Sequence, residues 1–362
     1  MSIDYSTAEK RWAGIGPYYA MFPRHFADEV ILKYTRPNDV ILDPFSGRAT
    51  SIYSAAINER TGIGIEVNPV GWVYGKSKLY PADQCAVEKR LIEIYNQSDN
   101  FKNDTNSLPA FFHSCFSSSV LNFLLSAREN LDWRYCSSDW TLMSLLLVYL
   151  HGNRTQSLSN QMRQTKSMAP EYSIRWWKEH DLKAPEIDPL DFMRKRISWR
   201  YMKGKPKTTS SHIYLGNCCD IIPKLKHIIG NDSIKLLFTS PPYSGITNYH
   251  YDQWIRLWLL GYPPYPNSNM GRYRKRFSEI SDYSKLLETT FRKSSKYLSK
   301  DSIIYIRTDS REPTFSVTKN ILNKIFPKKK LSILEQPVVK NTQTHLFGKH
   351  VGRNSEVDLI LE

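Results

Sequence analysis

Short apolar runs alternate with helical patterns near the start of the chain. Residues 40–43 form an apolar run that ends in Asp43, and a turn containing Pro and Gly leads into a helical pattern at residues 49–57. Residues 62–66 repeat this arrangement, because a β-rich run ends in Glu66 and a second helical stretch follows. Two consecutive strand–turn–helix units predict a parallel sheet that is covered by helices.

The middle of the chain has a different pattern. Residues 84–205 lose the alternation, and two helical stretches there precede a polar stretch rich in Asn, Gln, Ser and Arg. Apolar strands return at residues 212–215, 234–238, 302–306, 331–334 and 356–361. We therefore predict an α/β fold, a doubly wound and mostly parallel Rossmann-like sheet with an antiparallel C-terminal edge and a largely helical insertion. The predicted segments are residues 1–83, 84–205 and 206–362.

Length and charge narrow the class of protein. A chain of 362 residues with 41% hydrophobic residues is long enough to build a sizeable core. The formal net charge of +15 indicates a polyanionic partner, because Lys and Arg neutralise phosphates and release counterions. Residues 1–83 carry balanced charges, whereas residues 151–205 and 206–362 carry a basic excess. This distribution suits a small ligand on the first segment and a long anion on the others.

Cysteine usage and the N-terminus point to an ordinary reducing environment. The five cysteines are odd in number and form no C-x-x-C pair, so the sequence predicts neither a disulfide framework nor a metal site. The first residues lack the pattern of a signal peptide, and the apolar run at 145–150 is too short to cross a bilayer. We expect a cytoplasmic protein.

The two acidic strand ends are candidate cofactor ligands. In a doubly wound fold, ligands bind beyond the carboxyl ends of the strands. Gly47 allows the backbone to approach a ligand, and the Glu66 carboxylate can accept hydrogen bonds from two ribose hydroxyls. The chain lacks both the G-x-G-x-x-G and the G-K-[ST] signatures. The alternative is a strand-to-helix turn that binds NAD or no ligand.

Residues 240–243, Ser-Pro-Pro-Tyr, follow an apolar strand and can grip a planar base that bears an amino group. The Ser240 hydroxyl and the Pro241 carbonyl are two acceptors for the N–H groups of such an amine, and Pro242 restricts the backbone that holds them. The Tyr243 ring offers a stacking surface worth roughly 1–3 kcal/mol per base. This offsets part of the few kcal/mol that base flipping costs. The alternative is a polyproline turn or a partner-binding loop.

These motifs together resemble the DNA amino-methyltransferases, which methylate the exocyclic nitrogen of cytosine or adenine. The resemblance rests on Asp-Pro-Phe-Ser-Gly at 43–47, on Gly-Ile-Gly-Ile-Glu-Val-Asn-Pro at 62–69 and on Ser-Pro-Pro-Tyr. A Pro-containing segment at 16–23 precedes them, as it does in that family. The chain departs from the family pattern at Arg48, where a second Gly is common, although Thr50 is retained.

The resemblance implies S-adenosylmethionine as cofactor and double-stranded DNA as substrate. Residues 1–83 and 206–362 then form the cofactor-binding and catalytic halves of a methyltransferase core. The implied catalytic residues are Ser240, Pro241, Pro242 and Tyr243. The implied cofactor-binding residues are Tyr18, Phe22, Pro23, Asp43, Phe45, Ser46, Gly47, Thr50, Glu66, Asn68, Asp220 and Ser240. Phe45 and Ser46 would line the methionine arm, and Asp220 is either an acid near the adenine or an ordinary helix N-cap.

The order of the motifs makes the insertion at 84–205 the expected target-recognition region. The residues there whose side chains can read base edges are Asn153, Arg154, Gln156, Asn160, Gln161, Arg163 and Gln164. Arg272 and Arg274 form a second basic candidate, which would contact the DNA backbone. The alternative for the first group is a polar loop without a binding function.

The resemblance also orders the possible reactions. The Ser-Pro-Pro-Tyr form of the motif is associated mainly with methylation at cytosine N4, and the forms that begin with Asp or Asn are associated with adenine N6. We therefore expect a cytosine-N4 enzyme of a restriction-modification system, acting beside a separate endonuclease. The alternatives are an adenine-N6 enzyme and, in another class, a DNA-binding module without catalysis. No Pro-Cys dipeptide occurs in the sequence, which argues against methylation at carbon 5 of cytosine.

Overall fold

A computed structural model describes residues 4–17, 23–229, 233–243, 249–266, 279–335 and 356–362. The chain forms two compact units. One, here called the sheet unit, comprises Tyr19–Asn68, Thr208–Asn248 and Asn269–Glu362. The other, here called the helical unit, comprises Met1–Tyr18, Pro69–Lys207 and Tyr249–Ser268.

In the part of the sheet unit that the structure describes, the strands span Val40–Asp43 (β1), Thr61–Glu66 (β2), His212–Leu215 (β3), Ile234–Thr239 (β4), Leu298–Asp309 (β5), Leu331–Glu335 (β6) and Glu356–Leu361 (β7). These seven strands form one sheet in the order β3-β2-β1-β4-β5-β7-β6. Strands β1 to β5 pair in parallel, and β7 runs antiparallel to both β5 and β6. The predicted fold class is confirmed, although the antiparallel strand lies between β5 and β6 and not at the edge.

The strand order fixes where a ligand can bind. From β1 the chain proceeds outward in one direction to β2 and β3, and β4 and β5 lie on the other side of β1. Ligands of doubly wound sheets bind beyond the carboxyl ends of the strands at such a reversal. The carboxyl ends of β1 and β4 carry Asp43 and Thr239, so both predicted motifs meet at this point.

Helices cover both faces of the sheet. In the sheet unit they span Arg24–Tyr34, Thr50–Ile57, Cys218–Ile221, Ile280–Ser294 and Thr314–Ile325, with 3-10 turns at Ile222–His227 and Ser295–Tyr297. Successive side chains of β4 point to opposite faces. Leu236 and Phe238 pack with Phe26 in one core cluster, whereas Leu237 packs with Phe291 in the other.

Two glycines shape the first strand–turn–helix unit. Gly47 has a φ of 53° and Ala49 a φ of 60°, so the turn uses two left-handed residues before the helix Thr50–Ile57 begins. A Cβ on Gly64 of β2 would lie 2.9 Å from a side-chain carbon of Ile52. The glycine therefore lets this helix pack closely on the sheet.

The helical unit has a core of aromatic side chains. Its α-helices span Ala8–Ala13, Pro69–Leu79, Gln84–Asn96, Ala110–Cys115, Ser118–Asn130, Ser137–Tyr149, Pro170–Glu179, Pro189–Tyr201, Tyr249–Asp252 and Trp254–Leu259, with 3-10 turns at Ser98–Phe101 and Asp104–Ser107. Phe112 contacts both Trp254 and Trp258, with ring centroids 6.0 and 4.5 Å apart. The segment that follows the Ser-Pro-Pro-Tyr motif therefore contributes to the core of this unit. No described helix is long and apolar enough to cross a membrane.

The three segments predicted from the sequence do not coincide with the two units. The N-terminal helix belongs to the helical unit, because the Trp12 ring packs edge-on against Tyr201 at 5.1 Å and its Nε1 donates to Gly204 O. The helix Pro69–Leu79 also lies there, and its Ser77 shares a 2.8 Å hydrogen bond with Ser144. Residues distant in sequence supply these partners, so local patterns did not reveal the boundaries.

Candidate active site

The turn after β1 is organised by Asp43, whose side chain is almost fully buried. Its Oδ1 accepts hydrogen bonds from the Thr239 hydroxyl at 2.5 Å and from Phe45 N at 3.1 Å, and its Oδ2 accepts one from the Ser51 hydroxyl. Burial raises the pKa of Asp43 to about 6, against the effect of these hydrogen bonds. Asp43 thus ties β1 to β4 and to the helix Thr50–Ile57.

Glu66 ends the neighbouring strand and is also buried. Its Oε1 accepts a hydrogen bond from Asn68 N at 2.7 Å. Burial is the main cause that raises the pKa of Glu66 to about 8, and the nearby Asp43 charge adds to it, while backbone hydrogen bonds from Asn68, Gly47 and Val67 oppose it. A buried carboxyl with remaining acceptor capacity suits ligand hydroxyl donors, so the chemistry here fits the ribose of S-adenosylmethionine.

The other residues of the predicted cofactor turn have mainly internal contacts. Ser46 donates from both its backbone N and its Oγ to Ile65 O, each at 3.1 Å, which holds the turn against β2. Thr50 is buried and accepts from Arg48 Nε at 3.2 Å, so the arginine at the unusual position is anchored within the turn. Phe45 packs against the core of the sheet unit.

The Ser-Pro-Pro-Tyr turn begins directly after β4. Thr239, the last residue of β4, pairs with Ile306 of β5, and its hydroxyl donates a hydrogen bond to Asp43. Ser240 and the second proline are partly exposed, whereas Pro241 and Tyr243 are buried. The Ser240 side chain is therefore accessible beside a turn that the Thr239–Asp43 hydrogen bond fixes.

Tyr243 is held by a network that the sequence analysis missed. Its hydroxyl donates to Glu356 Oε1 at 3.4 Å, and Glu356 lies 3.5 Å from Arg307. Arg307 binds the buried Asp358 through two hydrogen bonds of 2.7 and 2.8 Å, and Tyr305 donates to the same carboxylate. In the sequence, the only signal for this network was that residues of opposite charge lie near the ends of two strands. The pairing of β5 with β7 is what places Arg307 beside Asp358.

We predict that the ring and the hydroxyl of Tyr243 make separable contributions. Tyr243→Phe keeps the ring but loses the Glu356 contact, so affinity for DNA should fall only slightly. Tyr243→Ala removes the stacking surface and should weaken capture of the base by roughly 1–3 kcal/mol. Only 6% of the residue is exposed, so stacking requires neighbouring groups to shift and uncover one face. Fluorescence of 2-aminopurine at the target position measures this capture, and equal losses for both variants would contradict a stacking role.

Asp220 is not an N-cap, which corrects one of its two predicted roles. The side chain of Asn217 caps the helix Cys218–Ile221 by accepting from Cys219 N at 3.0 Å. Asp220 lies exposed within that helix. Gly216 N donates to Glu66 O at 2.9 Å, so the loop before the helix follows the end of β2. The role of Asp220 near an adenine remains a prediction.

The structure describes some of the remaining predicted site residues and not others. Pro23 is exposed at the start of the helix Arg24–Tyr34, and Asn68 is buried at the end of the cofactor segment. Tyr18, Phe22, Arg272 and Arg274 lie outside the described residues.

The predicted recognition residues lie in the helical unit, on residues 150–169 between two helices. This segment, here called the recognition loop, is internally hydrogen bonded. Asn153 and Arg163 are exposed, and Arg154 and Gln161 are half-buried. Arg154 N donates to Gln161 Oε1 at 3.0 Å, which uses one acceptor of that amide. Asn160 is fully buried, and its Nδ2 donates to Ser114 O and Leu182 O. Its predicted access to base edges is therefore wrong, because its amide supports the loop.

We predict that Asp43→Ala weakens binding of S-adenosylmethionine strongly, while non-specific binding of DNA persists. The change leaves the Thr239 and Ser51 hydroxyls without their buried acceptor, at a cost of about 1–3 kcal/mol each, and loosens both turns. Asp43→Asn retains one acceptor and should recover part of the affinity. Calorimetric titration with the cofactor measures the effect, and an unchanged affinity in the alanine variant would refute the assignment.

Comparison with known proteins gives a family for the cofactor segment. Residues 3–70 match a family of N6 and N4 methyltransferases described as DNA methylase. The type II methyltransferase M.MjaII of Methanocaldococcus jannaschii is 26% identical over 88 residues, which cover 24% of this chain and 17% of that protein. The orphan methyltransferase M.BamHII of Bacillus amyloliquefaciens is 39% identical over 49 residues, which cover 14% of this chain and 18% of that protein.

These matches confirm the resemblance to the DNA amino-methyltransferase family, and they confirm S-adenosylmethionine as the expected cofactor. The aligned part of the chain spans less than a fifth of each curated relative. Among solved structures, the rRNA methyltransferase aviRa from Streptomyces viridochromogenes aligns with 99% of this chain and 96% of its own, at 11% identity and a TM-score of 0.36. At that score the two folds are only loosely alike.

Proposed function

We propose that this protein is an S-adenosylmethionine-dependent DNA methyltransferase that methylates N4 of a cytosine flipped out of double-stranded DNA. The observation that carries the proposal is the hydrogen bond from Thr239 to Asp43. It joins the Ser-Pro-Pro-Tyr turn at the end of β4 to the cofactor turn at the end of β1. The two motifs of the family thus lie at the reversal point of one sheet, where a methyl donor and a base can meet.

The chemistry assigned to the protein is orientation of the base. S-adenosylmethionine, when bound, supplies an electrophilic methyl group. The lone pair of an exocyclic amine is delocalised into the ring, so the amine must be held with that pair directed at the methyl group. The Ser240 hydroxyl and the Pro241 carbonyl accept from its two N–H groups. The neutral serine is too weak a base to remove a proton beforehand, so the proton leaves during or after transfer, and no covalent link to the protein forms.

Cytosine is favoured over adenine by the serine at the first position of the motif. Adenine N6 is the second candidate, and the same two acceptors would orient its amine. The net charge of +15 supports DNA as the partner. The curated relatives are a type II and an orphan methyltransferase, and they support a role in restriction and modification, with any endonuclease acting separately.

Analysis of the reaction product tests the function. Purified protein is incubated with unmethylated DNA and labelled cofactor, and the DNA is then digested to nucleosides. The proposal predicts N4-methylcytosine. N6-Methyladenine would overturn the base assignment and keep the mechanism, 5-methylcytosine would overturn both, and an absence of labelled nucleoside would favour a DNA-binding module without catalysis.

We predict that Arg163→Ala reduces discrimination between cognate and other sequences. A bidentate contact to a base is worth roughly 1–3 kcal/mol, and Arg163 is exposed on the recognition loop. Arg175→Ala is the matched control, because it removes the same charge from an exposed position of the same unit. Relative methylation rates on cognate and substituted sites measure the effect. If Arg163→Ala weakened binding equally on all sequences, Arg163 would contact phosphates and recognition would lie elsewhere.

A further inference from the structure

The recognition loop encloses a cavity of about 410 Å³, here called the loop pocket. Sites for small ligands usually measure about 300–1,000 Å³, so its size suits one small polar molecule. The lining residues used below are Tyr149, Gly152, Gln161, Arg163, Gln164 and Arg196. All of them belong to the helical unit.

The loop pocket is preorganised by hydrogen bonds. Gly152 and Gln161 form a β-bridge, and Met162 N donates to Gly152 O at 2.9 Å. The fully buried Arg256 donates to Gln164 O at 2.6 Å and to Leu147 O at 2.9 Å. A loop fixed in this way loses little conformational entropy when a ligand binds.

Two amides supply complementary groups at the wall of the pocket. Gln161 uses its oxygen to accept from Arg154 N, which leaves its NH₂ group as a donor. Gln164 donates through Nε2 to Val148 O at 3.4 Å, which leaves its oxygen as an acceptor. A donor and an acceptor on neighbouring amides match the mixed donor and acceptor edge of a nucleobase.

The charges of the pocket select the same class of ligand. Among the described residues, the lining contains Arg163 and Arg196 and no acidic side chain. The Arg196 guanidinium lies over the rings of Tyr149 and Phe192, at 5.0 and 4.8 Å from their centroids. These contacts hold the charge in place for an anion. A planar base edge together with a phosphate describes a nucleotide.

We propose that the loop pocket binds a single nucleotide whose base lies outside a helical stack, separate from the base that is methylated. The inference rests on the proposed function, because DNA bound for methylation brings nucleotides to the recognition loop. A concave wall of amides receives an unstacked base, whereas reading a groove requires side chains that protrude. A free nucleotide has the same chemistry, and the experiment distinguishes it from a nucleotide of the DNA strand.

The test uses two variants and one control. Gln164→Leu removes the acceptor, together with the Nε2 donor to Val148 O, and puts a branched apolar side chain in place of the amide. Gly152→Ala adds a methyl group that would lie 3.5 Å from Gln164 Cβ, an ordinary contact distance, and so narrows the pocket without displacing the loop. Gln84→Leu makes the same change as the first variant on the helix Gln84–Asn96, outside the pocket.

Sequencing of DNA methylated by the wild-type protein first defines the recognition site. Duplexes then carry 2-aminopurine at each position of that site in turn. We expect fluorescence to rise at the methylated position and at one further position. Gln164→Leu and Gly152→Ala should abolish the second rise and weaken binding roughly tenfold or more, while the first rise and the Gln84→Leu control stay unchanged.

Calorimetric titration with the four deoxynucleoside monophosphates forms the second arm. One outcome is that the wild type binds a monophosphate that neither pocket variant binds, while the duplexes show no second fluorescent position. That result would support the pocket, with a free nucleotide as its ligand. No second position and no nucleotide binding, or signals that neither variant changes, would overturn the proposal. If the wild type methylated DNA in that case, the pocket inference alone would fail. If the wild type transferred no methyl group yet bound nucleotides through Gln164, the proposed function would fail and the pocket would stand.

Discussion

Replacing Ser240 with alanine should lower the rate of methyl transfer on the order of 10²–10³-fold, the usual effect of losing one oriented hydrogen-bond partner at a reacting group. The partly exposed Ser240 lies on a turn that the Thr239–Asp43 hydrogen bond fixes. Its hydroxyl is assigned to orient the amine and not to hold the cofactor turn. Turnover should therefore fall while the affinity for S-adenosylmethionine stays close to that of the wild type.

Ser299→Ala provides a matched control for this experiment. Ser299 lies near the start of β5 and donates to Ile234 O at the start of β4. Ser240 follows the other end of β4, so the two serines lie at opposite ends of that strand. Its loss should leave both turnover and cofactor affinity unchanged. Single-turnover kinetics with saturating cofactor separate the chemical step from binding. A wild-type rate for Ser240→Ala would remove the serine from the mechanism, and a large loss of cofactor affinity would assign it a binding role.

The second large effect concerns pH. The affinity for S-adenosylmethionine should rise with pH and reach a plateau above about 8, which is the pKa of Glu66. The ribose hydroxyls donate to the ionised carboxylate, whereas burial favours its neutral form in the free protein. Binding below pH 8 must therefore release a proton, and the affinity should fall by up to about tenfold for each pH unit between 8 and 6.

Glu66→Gln should bind the cofactor weakly and remove this pH dependence. Calorimetry in buffers of different ionisation enthalpy detects the released proton, and Glu29→Gln, on an exposed position of the helix Arg24–Tyr34, is the control. In the absence of cofactor, the raised pKa of Glu66 makes the free energy of unfolding depend on pH. The contribution of the protonated Glu66 carboxyl to stability is present at low pH and is lost as the pH rises through about 8. A flat cofactor affinity between pH 6 and 8 in the wild type would contradict the assignment of Glu66.

The sequence predicted the structure best where an element depends on residues that are close together in the chain. The runs that end in Asp43 and Glu66 are strands, and Ser-Pro-Pro-Tyr follows a strand. Alternation of apolar residues and turn chemistry act over a few residues, so the sequence states them directly. The family match at residues 3–70 confirms the same segment.

The role of Asp43 shows where such patterns end. Its position at the end of β1 follows from the sequence. The hydroxyl groups that donate to its oxygens come from Ser51 on a helix and from Thr239 on β4, and Thr239 is 196 residues away along the chain. Which acceptors remain for a ligand depends on those partners. The same limit explains Asn160, whose amide looked available but is used by Ser114 and Leu182.

The sequence by itself determined the elements, the two motifs, the sign of the charge and the family that these resemble, because each depends on residue type and short spacing. Only the tertiary structure decided that 249–266 belongs to the helical unit, that Arg307 meets Asp358 across β5 and β7, and that the recognition loop encloses a pocket. Strand order, register and side-chain burial arise from packing between segments far apart in the chain, and no local pattern encodes them.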